Sequence, residues 1–326
     1  MNRRTALLAA PALILGAQSA RCQSASTGVF PTRPLRIVVP YSPGGVSDIT
    51  ARLIAEPMSA ALGHAVTVEN RPGADGIIGT DAVSKSPPDG HMLGLTSVGH
   101  AVNAALYRLP FDTIRDFTFL SMTTRTPLVL CAAPGFAPST PAELVNHAKS
   151  LPAGQITFAG SAGVVRLAPV LFAQRTGIEL TYVPYRGSTH AHPDLIAGRV
   201  NIMFDTVPAA LPHIQGGSLK AFATTGATRA PQLPDVPTLN EFLPGFEAST
   251  WGMLFGPAAL PAPVVTRLVA EIHAALRRPD VLTRHQTLGA EVVTTTPEQS
   301  RDFVLAEMEK WGAAARAAGI QPATAG

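Results

Sequence analysis

The sequence predicts an α/β protein of two similar units, each a mainly parallel sheet flanked by helices. Short apolar, β-branched runs alternate with helical stretches along the chain, which is the pattern of βαβ units. Glycine-rich turns stand between many of them. The length, 326 residues, suits roughly two domains of about 100–200 residues. Hydrophobic residues make up 46% of the chain, enough to offset the entropy of ordering it, so disorder is excluded. Two cysteines, Cys22 and Cys131, cannot support a disulfide scaffold.

Residues 1–25 read as a secretory signal peptide. Met1-Asn2-Arg3-Arg4 is basic, Ala6 to Ala17 is apolar, and the stretch from Gln18 to Thr27 is small and polar. The apolar run is shorter than the ~20 residues of a membrane-spanning helix. Arg3-Arg4, followed by Leu7 and Leu8, leaves general secretory and twin-arginine export both open. Ala17-Gln18-Ser19 fits a cleavage site, and a later one also fits. Arg21 disfavours lipoprotein processing at Cys22. A periplasmic location is expected.

In the first unit, Leu35 to Val39 reads as a buried strand and Ser42-Pro43-Gly44-Gly45 as a turn. Ser47 or Asp48 is then placed to cap a helix carrying Ile49, Leu53, Ile54, Met58 and Leu62, with Pro57 expected to kink or shorten it. Val66 to Val68 is a second strand, Ile77 to Lys85 a helix and Met92 to Thr96 a third strand. The pattern restarts with a strand at Leu128–Ala132 and a helix from Pro141 to Ser150. It continues with strands at Ile156–Ala159, Leu180–Val183, Asn201–Phe204 and Leu219–Thr224, and with helices at Val164–Gln174 and Thr189–Ala197. Trp251–Phe255 is a further strand. Two helices close the chain, the first from Pro261–Pro263. The second starts at Thr296-Pro297-Glu298-Gln299, a capping box with proline in the first turn.

Enzyme signatures are missing. The sequence contains no G-x-S-x-G, no G-x-x-x-x-G-K-[ST] and no H-E-x-x-H. Gly73, Gly76 and Gly79 do not match the dinucleotide fingerprint, so no cofactor is expected. Cys131 sits in an apolar strand pattern and reads as a core thiol. His190 and His192 read as a surface pair, not a metal site. No base accompanies Ser42, Ser47 or Ser161 in a nucleophile motif. Lysines and arginines are scattered, with no basic stripe interleaved with aromatics, which argues against nucleic acid.

The positive signal is two glycine-rich loops that open helices. Pro43-Gly-Gly-Val-Ser-Asp48 follows a strand in the first unit, and Ala159-Gly160-Ser161-Ala162-Gly163 follows one in the second. Free backbone N–H groups at a helix start hold a carboxylate without any charged side chain, and glycine lets it approach. The same glycines also suit ordinary tight βα turns, so spacing alone leaves both readings open.

Longer motifs carry a resemblance. Ile37-Val-Val-Pro-Tyr-Ser-Pro-Gly-Gly-Val-Ser-Asp48, Val68-Glu-Asn-Arg-Pro-Gly73, Pro88-Asp-Gly90, Val183-Pro-Tyr-Arg-Gly187, Met203-Phe-Asp205, Pro208-Ala-Ala-Leu-Pro-His-Ile214 and Leu233-Pro-Asp-Val-Pro-Thr238 occur in order. Together they are similar to the Bug (TctC-like) family of periplasmic solute-binding proteins of tripartite tricarboxylate transport. The resemblance implies a two-lobed Venus-flytrap fold with strands crossing near Phe119–Arg125 and Ala248–Phe255. Lobe 1 is then residues 30–123 plus 252–326, and lobe 2 is residues 124–251. It further implies a small carboxylated ligand held by loop backbone and ordered water. Carried over by residue, Ser42, Gly44, Gly45, Val46, Ser47 and Asp48 form the first-lobe anion loop, although Asp48 also fits a purely loop-shaping role. Ser97, Ser161, Gly163, Tyr185 and Asp205 are expected at the cleft.

The second loop departs from the family pattern. Where Ser-Ser-Gly-x-Gly-Thr-x-x-His is usual, the chain has Phe158-Ala-Gly-Ser-Ala-Gly-Val-Val-Arg166, shorter and with no threonine. Arg166 therefore stands either toward the ligand or toward solvent. Val46 and Asp75 replace commonly small residues. The expected ligand is a small organic acid, and the more apolar pocket suits a branched or aromatic one. The expected protein is a monomer, partnered by permease subunits or by a membrane signalling protein that reads the ligand. Its charge fits this role. The formal +3 falls to 22 basic against 22 acidic residues once Arg3, Arg4 and Arg21 are removed, so local dipoles must bind the anion without a global field.

Overall fold

The computed structural model describes residues 30–161 and 163–324, so the expected signal peptide over 1–25 lies outside the described residues. Strand β1 (Leu35–Val39) is buried at every position except Arg36, as befits a strand covered on both faces. It leads into α1 (Val46–Leu62), β2 (Val66–Asn70), α2 (Ile77–Ser84), β3 (Met92–Ser97), α3 (Gly99–Leu106) and the short β4 (Tyr107–Arg108). The long β5 (Phe117–Ala132) carries the chain onward. It is followed by α4 (Pro141–Ser150), β6 (Ile156–Gly160), α5 (Val164–Thr176), β7 (Leu180–Pro184), α6 (Ser188–Ile196), β8 (Ile202–Thr206), α7 (Val207–Gln215) and β9 (Lys220–Thr224). A one-turn α8 (Leu239–Phe242) precedes β10 (Ser249–Pro257). The chain ends in α9 (Ala262–Leu276), α10 (Pro279–Thr287), β11 (Glu291–Val292), α11 (Pro297–Ala317) and β12 (Ala323–Thr324).

Strand order is β2-β1-β3-β10-β5-β8-β6-β7, with β9 and β11 also paired to β5. The handover falls within β5. Residues Phe117 to Pro127 pair with β10, whereas Leu128 to Ala132 pair with β8 and β9. The result is two sheets, each parallel in its βα part, joined through β5 and the chain that enters β10. Thr225 sits at the junction, fully buried, where its Oγ1 accepts from Leu128 N at 2.8 Å and its N–H donates to Leu128 O at 2.9 Å. The sequence pattern places a new strand at Leu128. The structure instead runs one strand through Pro127, whose missing N–H falls where the ladder changes partner.

Helix α1 runs unbroken through Pro57, because Ala51, Ile54, Ala55, Met58 and Leu62 bury one face. It stops at Gly63 in the left-handed conformation. The capping box at Thr296–Gln299 is present as read, with Thr296 Oγ1 accepting from Gln299 N at 3.2 Å. Helices α9 and α10 pack on α1, whereas α11 lies against α3, β5 and α5 and so touches both halves. Among the described residues, no helix is long and apolar enough to cross a membrane.

Candidate functional site

Parallel pairing brings the C-terminal ends of β1 and β3 to one edge, where ligand sites of α/β sheets form. From that edge the loop 40–45 leads into α1, and a single residue, Val98, leads into α3. Gly44 takes the turn at φ +91°. The sequence places Ser47 or Asp48 as the cap of α1, but the N-cap is Gly45, and no side chain caps the helix. Asp48 instead braces the loop. Its Oδ2 accepts from Gly44 N at 2.9 Å, and its Oδ1 accepts from Asn70 Nδ2 and Arg52 Nε at 3.0 Å each. Burial raises its pKa, but the hydrogen bonds from Arg52, Gly44 and Asn70 outweigh this and hold the carboxyl below its usual range.

Across from this edge, α5 starts after Gly163, which adopts φ +67°, and it too lacks a side-chain cap. Between the halves lies a cavity of about 350 Å³. The first half supplies Tyr41, Gly45 to Asp48, Asp75, Ser97 to Gly99 and Asn103; the second supplies Gly163, Val164 and Val165; and the crossing strand β10 adds Thr250. Three uncapped helix starts, those of α1, α3 and α5, therefore meet one space. In these first turns Ala101 N and Arg166 N reach back to the Val98 and Gly163 carbonyls, and Gly99 N reaches Ser97 Oγ. The remaining N–H groups have no intrahelical acceptor and, with the helix dipoles, favour an anion. Val46, Val98, Val164 and Val165 make the rest of the wall apolar. Among the described lining residues there is no lysine or arginine.

Tyr41 organises the floor. Its Oη accepts from Ser97 Oγ at 2.7 Å and from Ser97 N at 3.3 Å. Of the residues read from sequence, Gly45, Val46, Ser47, Asp48, Ser97 and Gly163 line the cavity; Ser42, Gly44 and Ser161 flank it in the chain. Arg166 holds its guanidinium over the Tyr182 ring, 4.8 Å from the centroid. Tyr185 and Asp205 are not brought to the cavity. Tyr185 Oη donates to Asp194 Oδ2 at 2.7 Å, and burial together with Asp194 pushes the phenol up to about 12. Asp205 is 1% exposed and accepts from Ser188 Oγ at 2.7 Å, His192 Nε2 at 2.8 Å and Thr206 N at 2.8 Å. His192 is thus buried, not a surface residue as the spacing suggests; only His190 is exposed. Cys131 is fully buried, and burial pushes its thiol well above the usual range.

Sequence reading missed Tyr41, Val98, Gly99, Asn103 and Thr250. The Ser97-Val-Gly99 step from strand to helix was the available signal for α3. A larger cavity, about 580 Å³, lies by Arg125 and the 226–232 loop; no helix start lines it, and its two arginines are already paired, Arg125 with Glu247 and Arg229 with Glu241.

Two halves joined by crossing strands, with helix starts converging on the cleft between them, define a periplasmic binding-protein fold. Residues 50–320 match the family model described as tripartite tricarboxylate transporter family receptor, TctC. The chain is 41% identical over 316 residues to the UPF0065 protein in the tcbD-tcbE intergenic region of Pseudomonas sp. strain P51, covering 94% of this chain and 92% of that relative. Among solved structures, R. palustris Rpa4515 with adipate is 33% identical with TM-score 0.76, over 90% of this chain and 100% of that one. MatC (Rpa3494) from Rhodopseudomonas palustris with bound malate is 32% identical with TM-score 0.71, over 87% and 99%. The chain belongs to the TctC (Bug) family of tripartite tricarboxylate transporter receptors.

Proposed function

We propose that this chain is a periplasmic solute-binding protein that captures a small organic acid in the interlobe cleft and hands it to permease subunits of the tripartite tricarboxylate type. The observation that carries this reading is the convergence of three uncapped helix starts on one largely apolar cavity. Relatives solved with adipate and malate support it. The carboxylate sits on the backbone N–H groups of Gly45 to Ser47, near the Ser97 hydroxyl, while Gly163 and the α5 start close over it. Asp48 shapes the loop without touching ligand. Lobe 1 comprises residues 30–123 and 252–326, lobe 2 residues 124–251, and closure follows because a bound acid contacts both. The protein works as a monomer, by binding alone, with no covalent chemistry.

Isothermal titration of the mature chain against mono-, di- and aromatic carboxylates tests this. Saturable heat with at least one acid is expected, with a matching rise in Tm. No heat and no thermal shift from any acid contradicts it.

A further inference from the structure

Asp75 is the one described carboxylate of the cavity lining, besides the saturated Asp48, and its backbone is unusual. It lies in the turn Ala74–Gly76 at φ 52°, ψ 33°, a left-handed conformation that a short polar side chain tolerates better than most. The turn is held from behind. Tyr107 Oη donates to Asp75 Oδ2 at 2.5 Å, and Asn103 Nδ2 donates to the Asp75 carbonyl at 2.9 Å. The hydrogen bond to Asp75 and then burial push the Tyr107 phenol up to about 12, so it stays a donor across the ordinary pH range. Asp75 Oδ1 accepts no hydrogen bond from the described residues. No cation forms an ion pair with Asp75 among them; Arg166 stacks on Tyr182, and its charge reaches Tyr107 and slightly opposes the rise of that phenol.

We propose that Asp75 makes this cleft selective for monocarboxylates over dicarboxylates, an inference that rests on the carboxylate-binding reading above. An acid anchored on the α1 start turns its other end toward the valine wall and Asp75. Asp75 is exposed in this structure, and a second carboxylate there meets a like charge with no lining cation to offset it, a penalty that grows as the lobes close over the acid and exclude water. An apolar end, or one that donates a hydrogen bond to Oδ1, meets no such penalty. The cleft thereby differs in preference from relatives solved with diacids.

The test is titration of the mature chain with two matched pairs, hexanoate against adipate and benzoate against terephthalate, repeated on Asp75→Asn. Asparagine keeps the size of the side chain and tolerates the left-handed backbone, and an unchanged Tm shows that the fold is kept. The wild-type chain is expected to bind a monocarboxylate at least tenfold more tightly than its matched diacid. Asp75→Asn should shrink that ratio to about threefold or less, mainly by strengthening the diacid. A wild-type preference for the diacid, or a ratio that Asp75→Asn leaves unchanged, overturns the role of Asp75 while leaving carboxylate binding intact. Binding of none of the four acids overturns the carboxylate reading and this inference with it.

Discussion

The carboxylate of Asp205 accepts a hydrogen bond from His192 Nε2 at 2.8 Å, deep in the second half of the molecule. With Ser188 and the Thr206 N–H completing its shell, Asp205 fastens the α6 start to the end of β8. Replacing it by alanine leaves buried donors without an acceptor. Asp205→Ala is therefore expected to cost about 2–3 kcal/mol of stability while acid affinity stays within about threefold. Urea unfolding and isothermal titration on the same preparation check both halves. A large loss of affinity at unchanged stability would return Asp205 to the ligand site.

Glu307 holds a comparable junction at the other end of the chain. Its Oε2 accepts from Trp251 Nε1 and from Trp311 Nε1, at 2.9 Å each, and Lys310 pairs with its other oxygen. One buried carboxylate thus ties the C-terminal helix α11 to the crossing strand β10. Glu307→Ala strands two indole donors and should destabilise by about 2–5 kcal/mol; Trp251→Phe leaves one indole in place, but adds a packing loss to its own lost hydrogen bond. Intrinsic fluorescence during denaturation follows both variants. Equal midpoints for Glu307→Ala and wild type would rule the tie unimportant.

Stability should fall with acidification before any carboxylate is reached. His100 is enclosed by Phe111, Phe117, Phe119 and Phe255, and burial pushes its pKa from 6.5 down to about 4, against the opposing hydrogen bond that Nε2 donates to the Thr113 carbonyl. The unfolded chain therefore takes up this proton first. The stability contributed is complete above pH 6.5 and is lost as pH falls toward 4, with an upper bound of about 3 kcal/mol. Burial lowers His273 and His285 in the same direction. Urea midpoints at pH 7.5 and pH 5.0 measure the drop, and His100→Gln should flatten part of it. A midpoint that rises between pH 7.5 and 5.0 would contradict this.

Local signals were legible in the sequence, and their assembly was less so. Strand β1 and the α11 capping box announce themselves through periodicity and capping chemistry within a few residues. Helices α3, α7 and α10 did not. The first follows β3 after one residue and has no side-chain cap, and α7 carries Pro208 and Pro212. At the site, the loops around Gly45 and Gly163 could be found because a turn into a helix start is a local feature. Tyr41, Asn103 and Thr250 reach the cavity from three separate elements that only the sheet order brings together. Tyr185 and Asp205 stand at strand ends as the motifs suggest, yet neighbouring polar groups on α6 claim their side chains.

The central claim is that the 40–48 loop and the α1 start hold the acid. Gly45 lines the cavity, and a Cβ added there meets nothing nearer than the Ser42 carbonyl at 4.0 Å, so the backbone at this position accepts a side chain. Isothermal titration of Gly45→Trp, using whichever acid the wild-type chain binds most tightly, tests the claim most directly. Affinity lowered at least about a hundredfold, at a Tm near that of the wild type, is the expected result, equivalent to about 2.7 kcal/mol or more of lost binding. Unchanged affinity in that variant would place the acid elsewhere and contradict the account.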